Sequence, residues 1–366
     1  MKKILFATLA FLFLSTNARA DIVVGVSLPL SGPAASFGEQ IKTGTEVALA
    51  DINASGGVLG QKIKLRYEDD GCEAKLGVAA ANKLAIEKPT AVIGLFCSMA
   101  MTPASEIYAD ENIPVLFTAS NTAITTRGLK NIFRVGGMDD GQARLLAEYI
   151  DINKLGDKKI ALIHDKQVWG KGIVDRMQKD LADLKITPTI VDSITFGEKD
   201  FSALVAKLKK NKIDVVVLAL FPVEAGLVMR QAKDAGYSAK FFGADALLTA
   251  EYWNVSGKAG EGMLFTGPMD PRKSVDGKRI VDKIKLAKGN PELYTLYAYT
   301  QLRLLADAIT AAGSTDSKDI IDVLSNGSFK SVMGDLSFDR KGDLKRSLWS
   351  MYRWTNGDYV MLEGTN

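Results

Sequence analysis

The stretch DVVVLAL at residues 214–220 decides the fold of this chain. A short, valine-rich apolar run of this kind is typical of a β-strand that is buried on both faces. The segments on either side of it, Ser202–Lys210 and Glu224–Ala235, have the composition and spacing of helices. A strand flanked by helices in this way predicts a parallel sheet with helices on both faces.

The same alternation continues outward from this stretch in both directions. Strands at Lys159–Ile163, Thr187–Ile194 and Ala239–Phe242, with helices at Gly141–Asn153 and Lys171–Leu184, complete one run. An earlier run has strands at Ile22–Leu28, Lys62–Tyr67, Ala91–Phe96 and Pro114–Phe117, with helices at Gln40–Asn53, Leu76–Ala85 and Pro103–Asp110. The two runs meet near Gly136-Gly137. Because 366 residues exceed a comfortable single core, we predict two α/β domains.

The C-terminal quarter of the chain departs from this alternation. Helices are expected at Leu293–Ala312 and Ser317–Ser325, and strands at Gly334–Phe338 and Leu348–Trp354. A tail of this composition could return to complete both sheets, which would require several crossings between the domains.

The first twenty residues have the features of a secretory signal peptide. Lys2 and Lys3 precede a nearly continuous apolar run at 4–14, and Ala18-Arg19-Ala20 offers a small-x-small cleavage site. The apolar run is about half the ~20 residues that a membrane span needs, which disfavours the alternative of an N-terminal anchor. No cysteine lies near the cleavage site to carry a lipid. We therefore expect a free periplasmic protein.

The slight excess of positive charge belongs to this leader. The whole chain has 46 Lys and Arg against 43 Asp and Glu, and the leader holds three basic residues and no acidic one. The remainder is electrically balanced, so neither a nucleic acid nor an anionic membrane is an expected partner.

The two cysteines, Cys72 and Cys97, are predicted to form one disulfide, because an exported chain folds in an oxidising compartment. Closing a loop of this length is worth roughly 3 kcal/mol in the chain-entropy estimate. The alternative is a pair of free buried thiols.

Signatures of common enzymes are missing. His164 is the one histidine in the chain, which excludes sites built on two or more histidines. The segment SGPAASFG at 31–38 after the first strand matches neither a dinucleotide-binding nor a P-loop glycine pattern. A nucleophile elbow of the form GxSxG is also missing. We therefore expect no enzyme, no cofactor and no metal, although scattered carboxylates could still form an acid/base pair.

Small polar residues follow two strands of the first run, where open α/β sheets bind ligands. Ser98 comes after Ala91–Phe96 and just before a helix, and its hydroxyl together with free helix N–H groups suits a carboxylate. The next strand ends in TASNT at 118–122, which can donate and accept hydrogen bonds. Ordinary helix capping is the competing interpretation of both segments.

At this point the sequence resembles the leucine/isoleucine/valine-binding proteins of bacterial ABC transporters, which are type I periplasmic binding proteins. The resemblance runs through essentially the whole chain after the leader, and it rests on the order and spacing of several short motifs. They are SGP at 31–33, ADIN at 50–53, GG at 56–57, the Cys72/Cys97 pair, PAS at 103–105, IHDKQ at 163–167, GEKDFS at 197–202, VMG at 332–334 and KGDL at 341–344.

The resemblance implies two Rossmann-like lobes with parallel-sheet cores, joined by a three-stranded hinge. It places the signal peptide at 1–20, the N-terminal lobe at 21–139 plus 268–345, and the C-terminal lobe at 140–267 plus 346–366. It also implies a monomer that closes on a free amino acid with a branched-chain or aliphatic side chain and delivers it to a membrane ABC permease.

The family's ligand contacts carry over to positions that match its motifs. Ser98 matches the serine that binds the α-carboxylate, and Ala119 the residue whose carbonyl accepts the α-ammonium. Asn121 falls where the family usually has threonine, and a one-residue gap leaves Thr122 as the alternative. Asp245 matches the acidic residue that pairs with the ammonium, where the relatives have the longer Glu.

The resemblance also implies an aromatic pocket for the ligand side chain. Phe37, Trp169, Phe221 and Tyr294 fall on its aromatic positions, and such walls favour an apolar side chain. Two alternatives remain open: a receptor of the same fold for another small ligand, such as an aromatic acid, and a ligand sensor for signalling or chemotaxis.

Overall fold

The structure is a computed structural model that describes residues 20–287, 289–346 and 349–363. The predicted signal peptide therefore lies almost entirely outside the described residues. Within them, no helix is both long enough and apolar enough to cross a membrane.

The elements alternate along most of the chain. The strands are β1 (Ile22–Leu28), β2 (Ile63–Asp69), β3 (Ala91–Gly94), β4 (Val115–Phe117), β5 (Ile132–Arg134), β6 (Ile160–His164), β7 (Ile190–Ser193), β8 (Val215–Ala219), β9 (Lys240–Gly243), β10 (Leu264–Pro268), β11 (Phe329–Ser331), β12 (Gly334–Leu336), β13 (Trp349–Thr355) and β14 (Asp358–Met361). The helices are α1 (Ala35–Ala54), α2 (Ala74–Ile86), α3 (Ser98–Asp110), α4 (Asp139–Ile152), α5 (Val168–Asp183), α6 (Ser202–Lys210), α7 (Pro222–Asp234), α8 (Ala250–Ser256), α9 (Val275–Leu286), α10 (Leu293–Ala312) and α11 (Ser317–Asn326).

The strands form two large sheets, which confirms the two α/β lobes with parallel cores. One sheet has the order β2-β1-β3-β4-β5 and is parallel throughout. The other has the order β14-β13-β10-β9-β8-β6-β7, with its five strands from β10 to β7 parallel. Every residue of β8, the strand within DVVVLAL, is buried, as expected for a strand covered on both faces.

The tail completes one sheet and not both. Strands β13 and β14 add to the seven-stranded sheet as antiparallel edge strands, whereas β11 and β12 pair only with each other in the described part of the chain. The long helix α10 instead packs against α1 and contacts β3 on the five-stranded side. The chain thus passes between the two sides after β5, after β10 and before β13, and the exact lobe boundaries stay a prediction.

Two helices begin five residues before their predicted starts, α1 at Ala35 and α3 at Ser98. The predicted helix starts at Pro103, and proline is favoured in the first turn of a helix. The helix in fact begins directly after β3 and its following loop, with Pro103 inside it. As a result the N-terminus of α3 faces the carboxyl end of the five-stranded sheet.

Candidate ligand-binding site

A cavity lies between the carboxyl ends of the two sheets. The five-stranded side contributes Cys72, Phe96, Cys97, Ser98, Met99, Thr118 and Ser120 to its walls, together with Tyr294 of α10. The seven-stranded side contributes Gln167, Trp169, Phe221, Asp245 and Ala246. The loops and helix starts that follow β3, β4, β6, β8 and β9 supply most of these residues. Such convergence at strand ends is where open α/β sheets bind their ligands.

The first-lobe wall of the cavity is suited to an anion. Ser98 is the first residue of α3 and is 2% exposed, and its Oγ accepts a hydrogen bond of 3.3 Å from the backbone N–H of Asn121. The start of a 13-residue helix carries unpaired N–H groups and a partial positive charge. With the hydroxyl residues Thr118 and Ser120 beside it, this wall can hold a carboxylate.

The opposite wall carries a buried carboxylate. Asp245 is 7% exposed and accepts two hydrogen bonds, of 2.8 Å from the Tyr294 hydroxyl and of 3.0 Å from Gln142 Nε2. Burial raises the pKa of this carboxyl, and the two hydrogen bonds oppose that effect. Among the described residues, Asp245 forms no ion pair with Lys, Arg or His. A buried carboxylate without a cation is a favourable place for a positively charged ligand group.

A second acid lies behind this carboxylate. Gln142 Nε2 also donates to Asp139 Oδ1 at 2.7 Å, so one amide bridges the two acids. Burial, followed by the nearby charge of Asp245, raises the pKa of Asp139 to about 7. This wall of the cavity therefore favours positive charge.

Aromatic rings from both sides meet around the rest of the cavity. Phe96 stacks on Phe37 with ring centroids 4.4 Å apart, and its ring meets Tyr294 edge to face at 4.7 Å. From the other side, Phe221 packs against Trp169 at 5.1 Å and reaches Phe37 at 6.0 Å. These walls suit an apolar ligand group.

Five of the nine predicted site residues line the cavity: Ser98, Trp169, Phe221, Asp245 and Tyr294. The other four lie close by but make different contacts. Phe37 packs behind Phe96, and the Ala119 carbonyl accepts a hydrogen bond from the Arg134 guanidinium. Asn121 Nδ2 donates to the Val168 carbonyl at 2.9 Å, and Thr122 Oγ1 donates to Asp140 Oδ1 at 2.7 Å. The ligand contacts of all nine stay a prediction.

Phe96, Thr118, Ser120 and Gln167 also line the cavity but were not predicted individually as ligand contacts, although Thr118 and Ser120 belong to the segment 118–122 that the sequence indicated. Each of them lies within three residues of the end of β3, β4 or β6. Their position after predicted strands was therefore a signal that could have found them.

The predicted disulfide between Cys72 and Cys97 is present, with the two Cα atoms 5.2 Å apart. Cys97 is the residue that caps the N-terminus of α3. The bond therefore ties the loop after β2 to the helix start that carries Ser98, which limits the movement of this wall.

The two sides also touch outside the cavity. Ser36 Oγ at the start of α1 donates to Glu251 Oε2 of α8 at 2.5 Å. The contacts from Asn121 to Val168 and from Tyr294 to Asp245 cross the same cleft. This is a closed arrangement of the two lobes.

A third buried acid, Asp165, lies where β6 ends on the seven-stranded side. Its Oδ1 accepts the backbone N–H of Gln167 at 3.0 Å, and its Oδ2 has no hydrogen-bond partner in the described chain. Burial is the main reason that the pKa of Asp165 rises from 3.8 to about 7. The folded protein thus holds a proton that the unfolded chain releases between about pH 4 and 7, so this carboxyl lowers stability as the pH rises through that window.

We expect Asp165→Asn to be more stable than the wild type at pH 8, by on the order of 1–3 kcal/mol. The amide keeps an oxygen for Gln167 and removes the buried charge. The difference should shrink toward pH 4.5. Urea denaturation at both pH values measures it, with exposed Asp234→Asn as the control. An equal difference at pH 4.5 and pH 8 would contradict the role of this proton.

Comparison with known proteins agrees with this architecture. A family model for periplasmic binding proteins matches residues 21–358. The Leu/Ile/Val-binding protein homolog 1 of Brucella suis biovar 1 (strain 1330) is 40% identical over 362 residues, covering 98% of this chain and 97% of that protein.

Two solved structures share the fold. A leucine binding protein from Thermotoga maritima MSB8 matches with a TM-score of 0.84 at 25% identity, covering 93% of this chain and 97% of that one. An ABC-transporter solute binding protein from R. palustris, in complex with benzoate, also has a TM-score of 0.84. It is 21% identical and covers 93% of this chain and 95% of that one.

The parallel strands of both α/β lobes end at one shared cavity. This arrangement is that of a two-lobed, solute-binding receptor. The chain belongs to the periplasmic binding protein family.

Proposed function

We propose that this protein binds a free amino acid with an aliphatic side chain in the cavity between its lobes and delivers it to an ABC importer. One observation carries the choice of ligand: Asp245 is a buried carboxylate that lines the cavity and has no cation partner in the described chain. A ligand ammonium supplies the missing positive charge.

The opposite wall supports the other charged end of the ligand. The start of α3 and the Ser98 hydroxyl can hold the α-carboxylate. The rings of Phe96, Phe221 and Trp169 leave an apolar environment for the side chain between the two ends. A Brucella relative named as a Leu/Ile/Val-binding protein homolog and a structural neighbour named as a leucine binding protein support the same class of ligand.

An aromatic carboxylate is the second candidate, since a neighbour of the same fold is in complex with benzoate and this cavity is also lined by aromatic rings. Benzoate would satisfy the start of α3 but would bring no cation to Asp245. The buried charge therefore favours an amino acid over an aromatic acid.

The wider role follows from membership of the family. We propose a periplasmic receptor, exported by the leader at 1–20, that acts as a monomer without enzymatic activity and hands its ligand to a membrane permease. The lobes at 21–139 plus 268–345 and 140–267 plus 346–366 would rotate about the three crossing segments.

The test is calorimetry with the twenty amino acids and benzoate, followed by tryptophan fluorescence on those that bind. We expect aliphatic amino acids to bind and to change the fluorescence, because a ligand that touches both lobes favours the closed form. Among the four tryptophans, only Trp169 lines the cavity, so Trp169→Phe should remove most of the change. Trp253→Phe, which alters a ring stacked on Trp354, is the matched control. Binding of benzoate with no binding of any amino acid would contradict the proposal.

A further inference from the structure

We propose that Gln167 accepts a hydrogen bond from the ligand's ammonium group, so that the positive end of the ligand is held by Gln167 and Asp245 together. This inference rests on the proposed function and specifies how the cavity recognises an amino acid. It differs from the contact that family resemblance implies for the Ala119 carbonyl.

The first observation is an unused acceptor at the cavity. Gln167 follows β6, caps the start of α5 and lines the cavity. Its backbone N–H is satisfied by Asp165 Oδ1 at 3.0 Å. Its side-chain Oε1 is buried and accepts no hydrogen bond from any residue that the structure describes. Buried carbonyl oxygens are rarely left unpaired, so a donor inside the cavity is the expected partner.

The second observation concerns the opposite wall. The Ala119 carbonyl, which the resemblance assigned to the ammonium, accepts a hydrogen bond from Arg134 Nη1. Arg134 also donates from Nη2 to the Asn121 carbonyl at 3.0 Å, and its side chain is completely buried. The Ala119 carbonyl therefore already has a hydrogen-bond donor, and Ala119 is not among the residues that line the cavity, whereas Gln167 Oε1 has no donor in the described chain.

The two observations point to the same division of the cavity. Two acceptors that could face a cation, Asp245 and Gln167 Oε1, both lie on the seven-stranded side. In the described chain Asp245 accepts hydrogen bonds only from uncharged groups, and Gln167 Oε1 accepts none. The helix start and hydroxyl of Ser98 lie on the five-stranded side. The ligand's positive end would therefore bind one lobe and its negative end the other, so each end contributes to closure.

The test compares Gln167→Glu with Gln167→Met in calorimetry, with L-leucine, L-valine and L-alanine as probes. Glu keeps an acceptor oxygen in both of its protonation states, whereas Met keeps the length of the side chain and removes the acceptor. We expect Gln167→Met to weaken binding roughly 10-fold, as expected for losing a hydrogen bond to a charged group. Gln167→Glu should retain or improve the wild-type affinity.

The oxygen and nitrogen ends of an amide have nearly the same shape, so either end of Gln167 can face the ligand. Gln167→Glu distinguishes the two cases, because a carboxylate accepts hydrogen bonds but does not donate them. If Gln167 donated its N–H to the ligand's carboxylate, Gln167→Glu would weaken binding at least as much as Gln167→Met. The control is Gln178→Glu, which adds the same charge to an exposed position on the same helix.

Weaker binding by Gln167→Glu than by Gln178→Glu, or unchanged binding by Gln167→Met, would overturn the inference while leaving the proposed function intact. If wild-type protein binds none of the amino acids in the panel of twenty, the proposed function fails and this inference fails with it.

Discussion

Replacing Asp245 with Ala is expected to weaken amino acid binding about 10- to 150-fold while the protein stays folded. A charge-assisted hydrogen bond is worth about 1.5–3 kcal/mol, which corresponds to this range of affinity. The substitution also leaves the ligand's ammonium buried without an anion. Calorimetry with the tightest-binding amino acid measures the loss, and circular dichroism checks the fold.

A second variant isolates the charge from the shape of the side chain. Asp245→Asn keeps an oxygen that can accept from Tyr294 or Gln142 but removes the negative charge. We expect most of the loss of affinity to persist in Asp245→Asn, and no loss in the exposed control Asp234→Ala. Near-wild-type binding by both Asp245 variants would show that the ammonium binds elsewhere.

Lowering the pH should weaken amino acid binding, as the Asp245 substitutions do. Burial raises the pKa of Asp245, so its carboxyl takes up a proton at a higher pH than an exposed aspartate does. The neutral acid attracts an ammonium less strongly than the carboxylate does. Affinity should therefore fall as the pH is lowered, and the fall should be smaller in Asp245→Asn.

Replacing Arg134 with Met is expected to lower the free energy of unfolding by about 3–5 kcal/mol, the range for removing one partner of a buried ion pair. Arg134 and Asp343 are 0% and 3% exposed, and Arg134 Nε donates to Asp343 Oδ1 at 2.8 Å. Loss of the guanidinium leaves the Asp343 charge buried, with Thr125 as its remaining side-chain donor in the described chain. Urea denaturation measures the change.

The paired substitution Arg134→Met with Asp343→Leu tests whether the stranded charge causes the loss. Removing both charges should recover part of the stability, since a buried ion pair can often be replaced by apolar side chains at little cost. Glu106→Gln, which breaks the more exposed pair with Arg127, should cost at most about 1 kcal/mol. If the double variant is no more stable than Arg134→Met, the charge of Asp343 is not the cause.

The same double variant should still bind ligand more weakly than the wild type. Arg134 holds the carbonyls of Ala119 and Asn121, which lie in the loop that places Thr118 and Ser120 at the cavity. Met has no donor for these carbonyls, so the loop would lose its position even where stability returns. The buried pair thus connects the stability of the first lobe to the shape of the site.

Local patterns in the sequence were sufficient to predict the parallel cores. A fully apolar strand such as β8 is stable only when helices cover both of its faces. Strands and helices alternate along most of the chain, and this alternation predicts that the helices cover the sheets. The disulfide was also predictable, because an exported chain with two cysteines has one possible pair. Strand ends identified Ser98 because it follows a clear strand and begins a helix.

Contacts between residues distant in sequence depended on the tertiary structure. The antiparallel return of β13 beside β10 joins residues about 85 positions apart along the chain, a pairing that no local periodicity encodes. For the same reason, the sequence could not show that Arg134 binds the Ala119 carbonyl or that Gln142 bridges Asp139 and Asp245. The composition and order of residues determine which elements form, because helix and strand preferences are local. Only the tertiary structure decides which polar groups can bind a ligand. When distant segments pack together, most polar groups form hydrogen bonds within the protein, and the remaining ones are available to the ligand.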